Sequence, residues 1–294
     1  MPDLIKPMLA YNAPDTVENL LNFPGEWAFE TKHDGVRIIA RNDTDDGKWL
    51  LQARSGRIVT DEYKLWLPDL PPVVLDGEAV VLKDGVSDFN AIQNKAVADK
   101  VEFFAFDVIE VQGKNLRDMR YDDRRKILTT LGNYGLLVPE ELPYHTGAEA
   151  LQWAKDTGHE GVIAKDRNST YQEGKRVKTW LKSKVWKTAD VVLGGWKRGN
   201  GRRAGTIGNI MMGVQTPLGL AFCGKVGTGF TDAELARLQA AFEPLNTTEC
   251  PFTGLPRNEE RDAVWLDPVL TAEVQYQVVT VNGHLRHPSW RGLR

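Results

Sequence analysis

At 294 residues the chain exceeds one ordinary domain, and two are expected. With 41% hydrophobic and 26% charged residues it has the balance of a soluble globular protein, no apolar run as long as a membrane span, and an opening Met1-Pro2-Asp3-Leu4-Ile5-Lys6 that is not a signal peptide. Two cysteines, Cys223 and Cys250, form neither a zinc cluster nor a disulfide framework, which fits reduced thiols in cytoplasm. The apolar run Trp27-Ala28-Phe29 leads into Glu30-Thr31-Lys32-His33-Asp34-Gly35-Val36-Arg37. Val73 to Leu82 and Val101 to Ile109 read as strands. Tyr121 to Leu131 reads as a helix, with Asp122 placed to cap it and Ile127, Leu128 and Leu131 on one face; Ala148 to Lys155 is a second helix. Gly161 to Ala164 and Thr179 to Val185 read as further strands, which gives an α+β first domain over residues 1–187.

From Lys165 to Lys225 there are thirteen Lys or Arg against three acids, a local charge of +10 in a chain whose net charge is −3. Such a basic centre is an electrostatic footprint for phosphates, although a solvated basic face has the same composition. Beyond Thr188, Val191 to Trp196, Ile207 to Val214 and Leu220 to Val226 are β-like, with turns at Gly199-Asn200-Gly201 and Pro217-Leu218-Gly219. Thr231-Asp232-Ala233-Glu234 is a capping box, followed by Leu235, Leu238 and Phe242 on one helical face. Thr271 to Val281 returns to β character, with Asn282-Gly283 as a hairpin-turn signal. Short strands plus one helix over residues 188–294 fit a small Greek-key barrel, of the OB type or another. There is no GxxxxGK[ST] loop and no helix-turn-helix or zinc-finger signature. Nucleic acid would therefore be read through its backbone and geometry, not its base sequence.

Three local patterns carry chemistry. Lys32, with Asp34, Gly35 and Arg37 beside it, suits attack on a nucleotide phosphate: the amine is the nucleophile, Gly35 lets backbone approach a ligand without a Cβ, and Arg37 offers a planar fork to phosphate or ribose oxygens. A solvated Lys/Asp/Arg turn is the plain alternative. Lys182 and Lys184, two apart on a strand, point to one face and can reach one phosphate, or mark an exposed edge. Strand alternation puts Phe104 and Phe106 on one face and Phe103 on the other, as core residues or as a stacking surface.

The Lys32 string resembles the nucleotidyl-lysine motif of ATP-dependent DNA ligases and mRNA-capping enzymes. Its companions follow in order: Arg54-Ser55-Gly56, Leu75-Asp76-Gly77-Glu78-Ala79, Phe104-Ala105-Phe106-Asp107, Glu160-Gly161-Val162-Ile163-Ala164-Lys165 and Trp180-Leu181-Lys182-Ser183-Lys184. The resemblance runs from Lys6-Pro7-Met8-Leu9-Ala10 to Arg294. The strings Gly201 to Gly208, Gly224 to Phe230 and Leu285 to Trp290 are similar to the ligase module of bacterial end-joining DNA ligases.

That resemblance implies an α+β adenylation domain with antiparallel sheets and helices, followed by an OB-fold barrel. It implies ATP with Mg²⁺ or Mn²⁺ and a nicked or broken duplex as substrate. Lys32 would carry AMP; it must shed its proton to attack, which Mg²⁺, Lys182 and Lys184 would favour. Phe106 would stack on adenine, with Glu30 helping to fix it. Glu78 would contact ribose, Glu160 the metal, and Asp34 the loop or a metal-bound water, which makes Glu160, Glu78 and Asp34 the candidate metal set. Arg37 and Arg54 would reach ribose or the 5′-phosphate of DNA, and Arg286 and Arg294 the pyrophosphate. Lys197, Arg198, Arg202 and Arg203 suit DNA phosphates. Relatives continue past the position of Arg294 with an acid-basic pair, so self-adenylation is the step put in question by the end of this chain. The expectation is a minimal monomeric enzyme, free of membrane, with Ku-like or primase-polymerase partners in end joining. The alternatives are a capping-type guanylyltransferase, an RNA ligase and a catalytically idle nick-binding protein.

Overall fold

Alternation of apolar and polar residues along the strands sets the layers of the molecule. The computed structural model describes residues 4–20, 26–93 and 100–294, apart from the side chains of Pro14, Asp15 and Arg202. The chain divides into two compact units, Met1–Val185 and Trp186–Arg294, against the 187/188 division expected from sequence. No helix among the described residues is long and apolar enough to cross a membrane.

In the first unit the strands are β1 (Leu9–Asn12), β2 (Trp27–Thr31), β3 (Val36–Arg41), β4 (Leu50–Ala53), β5 (Val73–Lys83), β6 (Val86–Ser87), β7 (Val101–Val111), β8 (Lys114–Asn115), β9 (Gly161–Asp166) and β10 (Arg176–Lys184). The helices are α1 (Pro14–Glu18), α2 (Phe89–Ile92), α3 (Tyr121–Gly132) and α4 (Gly147–Asp156). One sheet has the order β4-β3-β5-β7-β8, with β6 paired to β5; the other has the order β1-β10-β9-β2. Pairing between the strands is antiparallel, as expected, with β1 added in parallel to β10 at one edge.

Each strand sends alternate residues to opposite faces. Ile38, Ala40, Leu75, Phe103 and Ala105 join Leu128 and Leu131 of α3 in one core. Ile39, Val74 and Ile109 face the other way and meet Val177 and Trp180 of the second sheet. The outer face of that second sheet packs Val162, Ala164 and Leu181 against Val17, Ala150 and Ala154 of α1 and α4. Polar residues that share the inter-sheet face are thereby carried inside.

Two helix starts differ from expectation. Asp122 does not cap α3: the N-cap is Arg120, without a side-chain cap bond, and Asp122 lies in the first turn where it accepts from Arg167 at 3.0 Å. A carboxylate in the first turn still opposes the helix dipole favourably. For α4 the cap is Thr146, in a complete capping box with Glu149.

In the second unit the strands are β11 (Lys187–Arg198), β12 (Ile207–Thr216), β13 (Gly219–Val226), β14 (Asn246–Thr247), β15 (Phe252–Thr253), β16 (Ala263–Leu266), β17 (Thr271–Tyr276) and β18 (Ser289–Leu293). The helices are α5 (Asp232–Phe242) and α6 (Arg257–Glu260). One edge of β11 pairs with β12 from Val192 to Arg198, while the other pairs with β17 from Lys187 to Val192 and then with β16 from Gly195 to Lys197. The changeover coincides with a register shift between Leu193 and Gly195. A Cβ on Gly194 would stand 2.5 Å from the Phe252 ring, so only glycine fits where the strand bends. A strand shared in this way curls the sheet towards a barrel, and the OB-type core forms around Leu235, Leu238 and Phe242 of α5. The Thr231 hydroxyl accepts from Glu234 N at 3.2 Å, but the Glu234 carboxylate accepts from Trp290 Nε1 at 2.6 Å, so only half of the expected capping box forms. The β character expected to Val281 ends at Tyr276; residues 279–285 form a turn through Asn282-Gly283, with Gly283 at φ 77°.

Candidate active site

The inward faces of the two sheets in the first unit enclose a cavity of about 200 Å³, and the sequence motifs line it in an order set by strand alternation. Glu30 and Lys32 come from β2 and its end, Arg37 from β3, Glu78 from β5, Phe106 from β7, Lys165 from β9 and Lys182 from β10. Arg54 reaches the rim from the turn after β4 and is exposed.

Lys32 Nζ contacts the Glu160 carboxylate, and Lys184 Nζ lies 2.9 Å from the other Glu160 oxygen. Glycine at 161 makes this possible: φ is +155°, and a Cβ there would sit 2.1 Å from Ser183 O. The Lys32 amide donates to Gly161 O at 2.9 Å, which ties the end of β2 to the start of β9. Lys182 lines the cavity two residues before Lys184. Burial, with Lys32 and Lys184 nearby, lowers its pKa.

Glu30 is buried and its carboxylate is committed within the protein. Lys165 Nζ stands 2.7 Å away, Tyr121 donates to it, and Arg125 lies at 3.4 Å. Lys165 is 1% exposed, donates to Phe106 O at 2.8 Å, and lies over the rings of Trp180 (4.5 Å), Phe106 (5.0 Å) and Tyr121 (5.0 Å). Burial lowers its pKa against the pull of Glu30. Arg37 is likewise engaged: its Nε and Nη2 meet Asp76 at 2.5 and 2.6 Å, Nη2 also donates to Met8 O, and its carbon lies 4.4 Å from the Phe106 centroid. The planar fork expected for a ligand is therefore turned towards a buried carboxylate. Burial opposes the charge of Arg37, and Asp76 more than offsets this.

Phe103 points into the α3 core, while Phe106 forms a cavity wall. Phe104 stacks on His33, centroids 4.8 Å apart. Burial lowers the pKa of His33 to about 4, so its ring is neutral at pH 7, and its Nδ1 is buried without a protein partner. Burial also raises the Glu78 carboxyl to about 7, against the pull of Arg37 and Lys32.

Several expectations are redirected. A Cβ on Gly35 would meet Ala79 O at 2.1 Å, so the close approach this glycine allows is to β5 and not to a ligand. The Asp34 amide donates to Ser87 Oγ at 2.9 Å, and Asp34 is not on the cavity wall. Among the described residues no three His, Cys, Asp or Glu side chains gather as a metal site, so Asp34, Glu78 and Glu160 do not form one. These residues do not fit a metal held by protein alone. Mg²⁺ commonly binds through one or two carboxylates plus substrate phosphates, which Glu78 and Glu160 could supply.

In the second unit, Lys197 pairs with Glu259 at 3.1 Å, Arg203 Nη1 donates to Gly227 O at 3.2 Å, and Arg198 is exposed. Arg202 lies in the short turn Gly201–Arg203, and its side chain falls outside the described residues. The Arg286 amide donates to Val278 O at 2.9 Å. Arg294 pairs with Asp190 at 3.3 Å and with Glu273. The cavity also takes in Lys165, Arg176 and Trp180, to which sequence reasoning gave no role. The signal was available for two of them: 176, 180, 182 and 184 share parity on β10, and extending the Lys182/Lys184 face upstream would have found Arg176 and Trp180.

Comparison with known proteins agrees with this arrangement. The ATP dependent DNA ligase domain family matches residues 7–184, and the ATP dependent DNA ligase C terminal region matches 203–294. The chain is 46% identical over 277 residues to the multifunctional non-homologous end joining protein LigD of Mycolicibacterium smegmatis, covering 92% of this chain and 36% of that protein. It is 46% identical over 300 residues to the multifunctional non-homologous end joining DNA repair protein LigD of Mycobacterium tuberculosis, covering 99% and 39%. The chain thus spans less than half the length of these curated relatives. The crystal structure of the ligase domain of M. tuberculosis LigD is 44% identical, with a TM-score of 0.59 over 99% of this chain and 95% of that one. A mycobacterial DNA ligase D complexed with ATP and MES matches equally. With its motif residues gathered on one cavity and both family regions matched, the chain belongs to the ATP-dependent DNA ligase domain family.

Proposed function

We propose that the chain seals breaks in duplex DNA by three phosphoryl transfers. In the first, Lys32 Nζ attacks the α-phosphorus of ATP: an N–P bond forms, the P–O bond to pyrophosphate breaks, and the amine gives up its proton. Glu160, in contact with Nζ, is the nearest acceptor for it. In the second, a 5′-phosphate oxygen of the nick takes AMP from Lys32, which breaks the N–P bond. In the third, the 3′-hydroxyl attacks that phosphate, releasing AMP and joining the strand. Lys182, Lys184 and Arg54 would hold phosphate charge as it shifts, while Arg37, engaged by Asp76, would brace the Phe106 wall. Phe106 would stack on the base, with Glu30 held beside it by Lys165. Glu78 would reach the ribose. A divalent cation arriving with the phosphates would neutralise charge on their oxygens, bound to Glu78 or Glu160.

The two units are read as adenylation and OB-fold domains, with Arg198, Arg202 and Arg203 on DNA phosphates and Arg286 and Arg294 acting on pyrophosphate. The names of the relatives support a repair role in end joining. A cytoplasmic setting and Ku-like or primase-polymerase partners complete the proposal. The observation that carries this reading is Lys32, paired with Glu160, beside a cavity walled by Phe106 and several cations. Mass spectrometry of protein incubated with ATP and Mg²⁺ should find AMP on Lys32 and none on Lys32→Ala, which should also fail to seal a nicked duplex. Sealing by that variant, or a GMP adduct in preference to AMP, would overturn the proposal.

A further inference from the structure

Lys197 and Lys225 come from β11 and β13, the two strands that flank β12. Lys197 lies opposite Asn209 and Lys225 opposite Met211, two residues further along β12, so both lysines project from one face of the sheet. That face carries Met211, Phe222 and Phe252 and is opposite the one that packs on α5. Their ammoniums converge on a single carboxylate. Lys225 Nζ lies 2.8 and 2.6 Å from the two oxygens of Glu259, and Lys197 Nζ is 3.1 Å from Oε2. Burial alone would raise the Glu259 carboxyl, but the two ammoniums outweigh it and hold it below the usual glutamate range.

Glu259 is carried by α6, a four-residue helix without a side-chain N-cap bond, in which Arg257, Asn258 and Glu260 are exposed. Its ties to the sheet include the Glu259 pairs and the contact of nearby Leu255 with the Met211 cluster. Partly exposed ion pairs of this kind hold weakly and are screened by salt. A carboxylate gripped between two ammoniums stands where one phosphate with two anionic oxygens would be gripped equally well.

We propose that Lys197 and Lys225 form a phosphodiester-binding site which Glu259 fills until nucleic acid displaces it. The identification of the ligand as DNA backbone rests on the ligase reading above; the anion site itself does not. Strand pairing sets the lysines, and the short α6 segment carries the carboxylate that nucleic acid would displace.

Glu259→Gln removes the competing charge and keeps the shape. The full chain carrying it should bind nicked duplex about 3- to 10-fold more tightly at low salt, with the gain fading as salt rises. The gain should vanish when Lys197→Ala and Lys225→Ala are added. In parallel, NMR of the lysine ammonium signals with inorganic phosphate as probe should shift Lys197 and Lys225 in Glu259→Gln at concentrations that leave the wild type unmoved. Phosphate shifts without DNA binding by either protein would keep the anion site and remove the DNA reading. No phosphate shift, a DNA gain that survives loss of both lysines, or melting of the second unit by Glu259→Gln would each overturn the site.

Discussion

Glu78 shows what a residue's address does to its chemistry. From sequence it is a glutamate after a glycine. On the wall between two sheets its carboxyl is desolvated and its pKa rises to about 7 from 4.5. Between those values the folded chain keeps a proton that the unfolded chain has lost. The stability present at low pH is therefore lost as pH rises through that window, by about 1–3 kcal/mol given that the group is partly open to the cavity. Glu78→Gln should match the wild type in urea unfolding at pH 4 and exceed it at pH 8. Parallel pH curves for the two proteins would remove burial as the cause. That Lys32 and Phe106 face the cavity could be anticipated from their neighbours in the chain. The engagement of Glu30 and Arg37 could not, because Lys165, Tyr121 and Asp76 lie far from them in sequence.

At the level of elements, α3 braces the site through a buried ion pair. Arg124 meets Asp107 at 2.7 and 2.8 Å and also donates to Met119 O and Ser169 O, with both side chains fully buried. Asp107 follows Phe106, so this pair ties the wall of the cavity to the helix, while Tyr121 and Arg125 of the same helix hold Glu30. Arg124→Met leaves Asp107 buried and unpaired, and should cost about 3–5 kcal/mol in chemical denaturation. Adding Asp107→Leu should recover much of that loss; no recovery would mean that packing, not charge, is what Arg124 supplies. Gly77 sits at a register shift between β5 and β7, and a Cβ there would meet Phe104 O at 2.5 Å and the Phe103 ring at 2.4 Å. Gly77→Ala should cost about 1–3 kcal/mol by overpacking and raise the KM for ATP by displacing Glu78 and Phe106 together. A stable variant with unchanged KM would contradict that coupling.

For the molecule as a whole, each unit has its own apolar core, around Ile38, Leu75 and Phe103 in one and Ile210, Leu238 and Trp290 in the other. Calorimetry should resolve two transitions, and Arg124→Met should lower only one of them; a single transition shifted as a whole would show that the units unfold together. Arg198 is exposed on the second unit, and a phosphate contact there adds affinity without base selectivity. Arg198→Ala should reduce the slope of log K against log salt for duplex binding by about 1, equally for unrelated sequences. An unchanged slope would take Arg198 off the DNA.

The chain by itself determined the long strands and the main helices and a change of character close to the division between the units, and it singled out Lys32 as the candidate nucleophile, because period, turn chemistry and short motifs are local properties. Its motif order also carried the resemblance to DNA ligases. Tertiary structure decided which charges remain available. Arg37 was expected to hold ligand oxygens and instead grips Asp76, and Gly35 was expected to open space for a ligand and instead lets β5 approach. The Lys197–Glu259 and Lys225–Glu259 pairs were likewise invisible in the sequence. An ion pair across tens of residues exists only when packing brings two charges together and removes the water between them, and no local pattern records that.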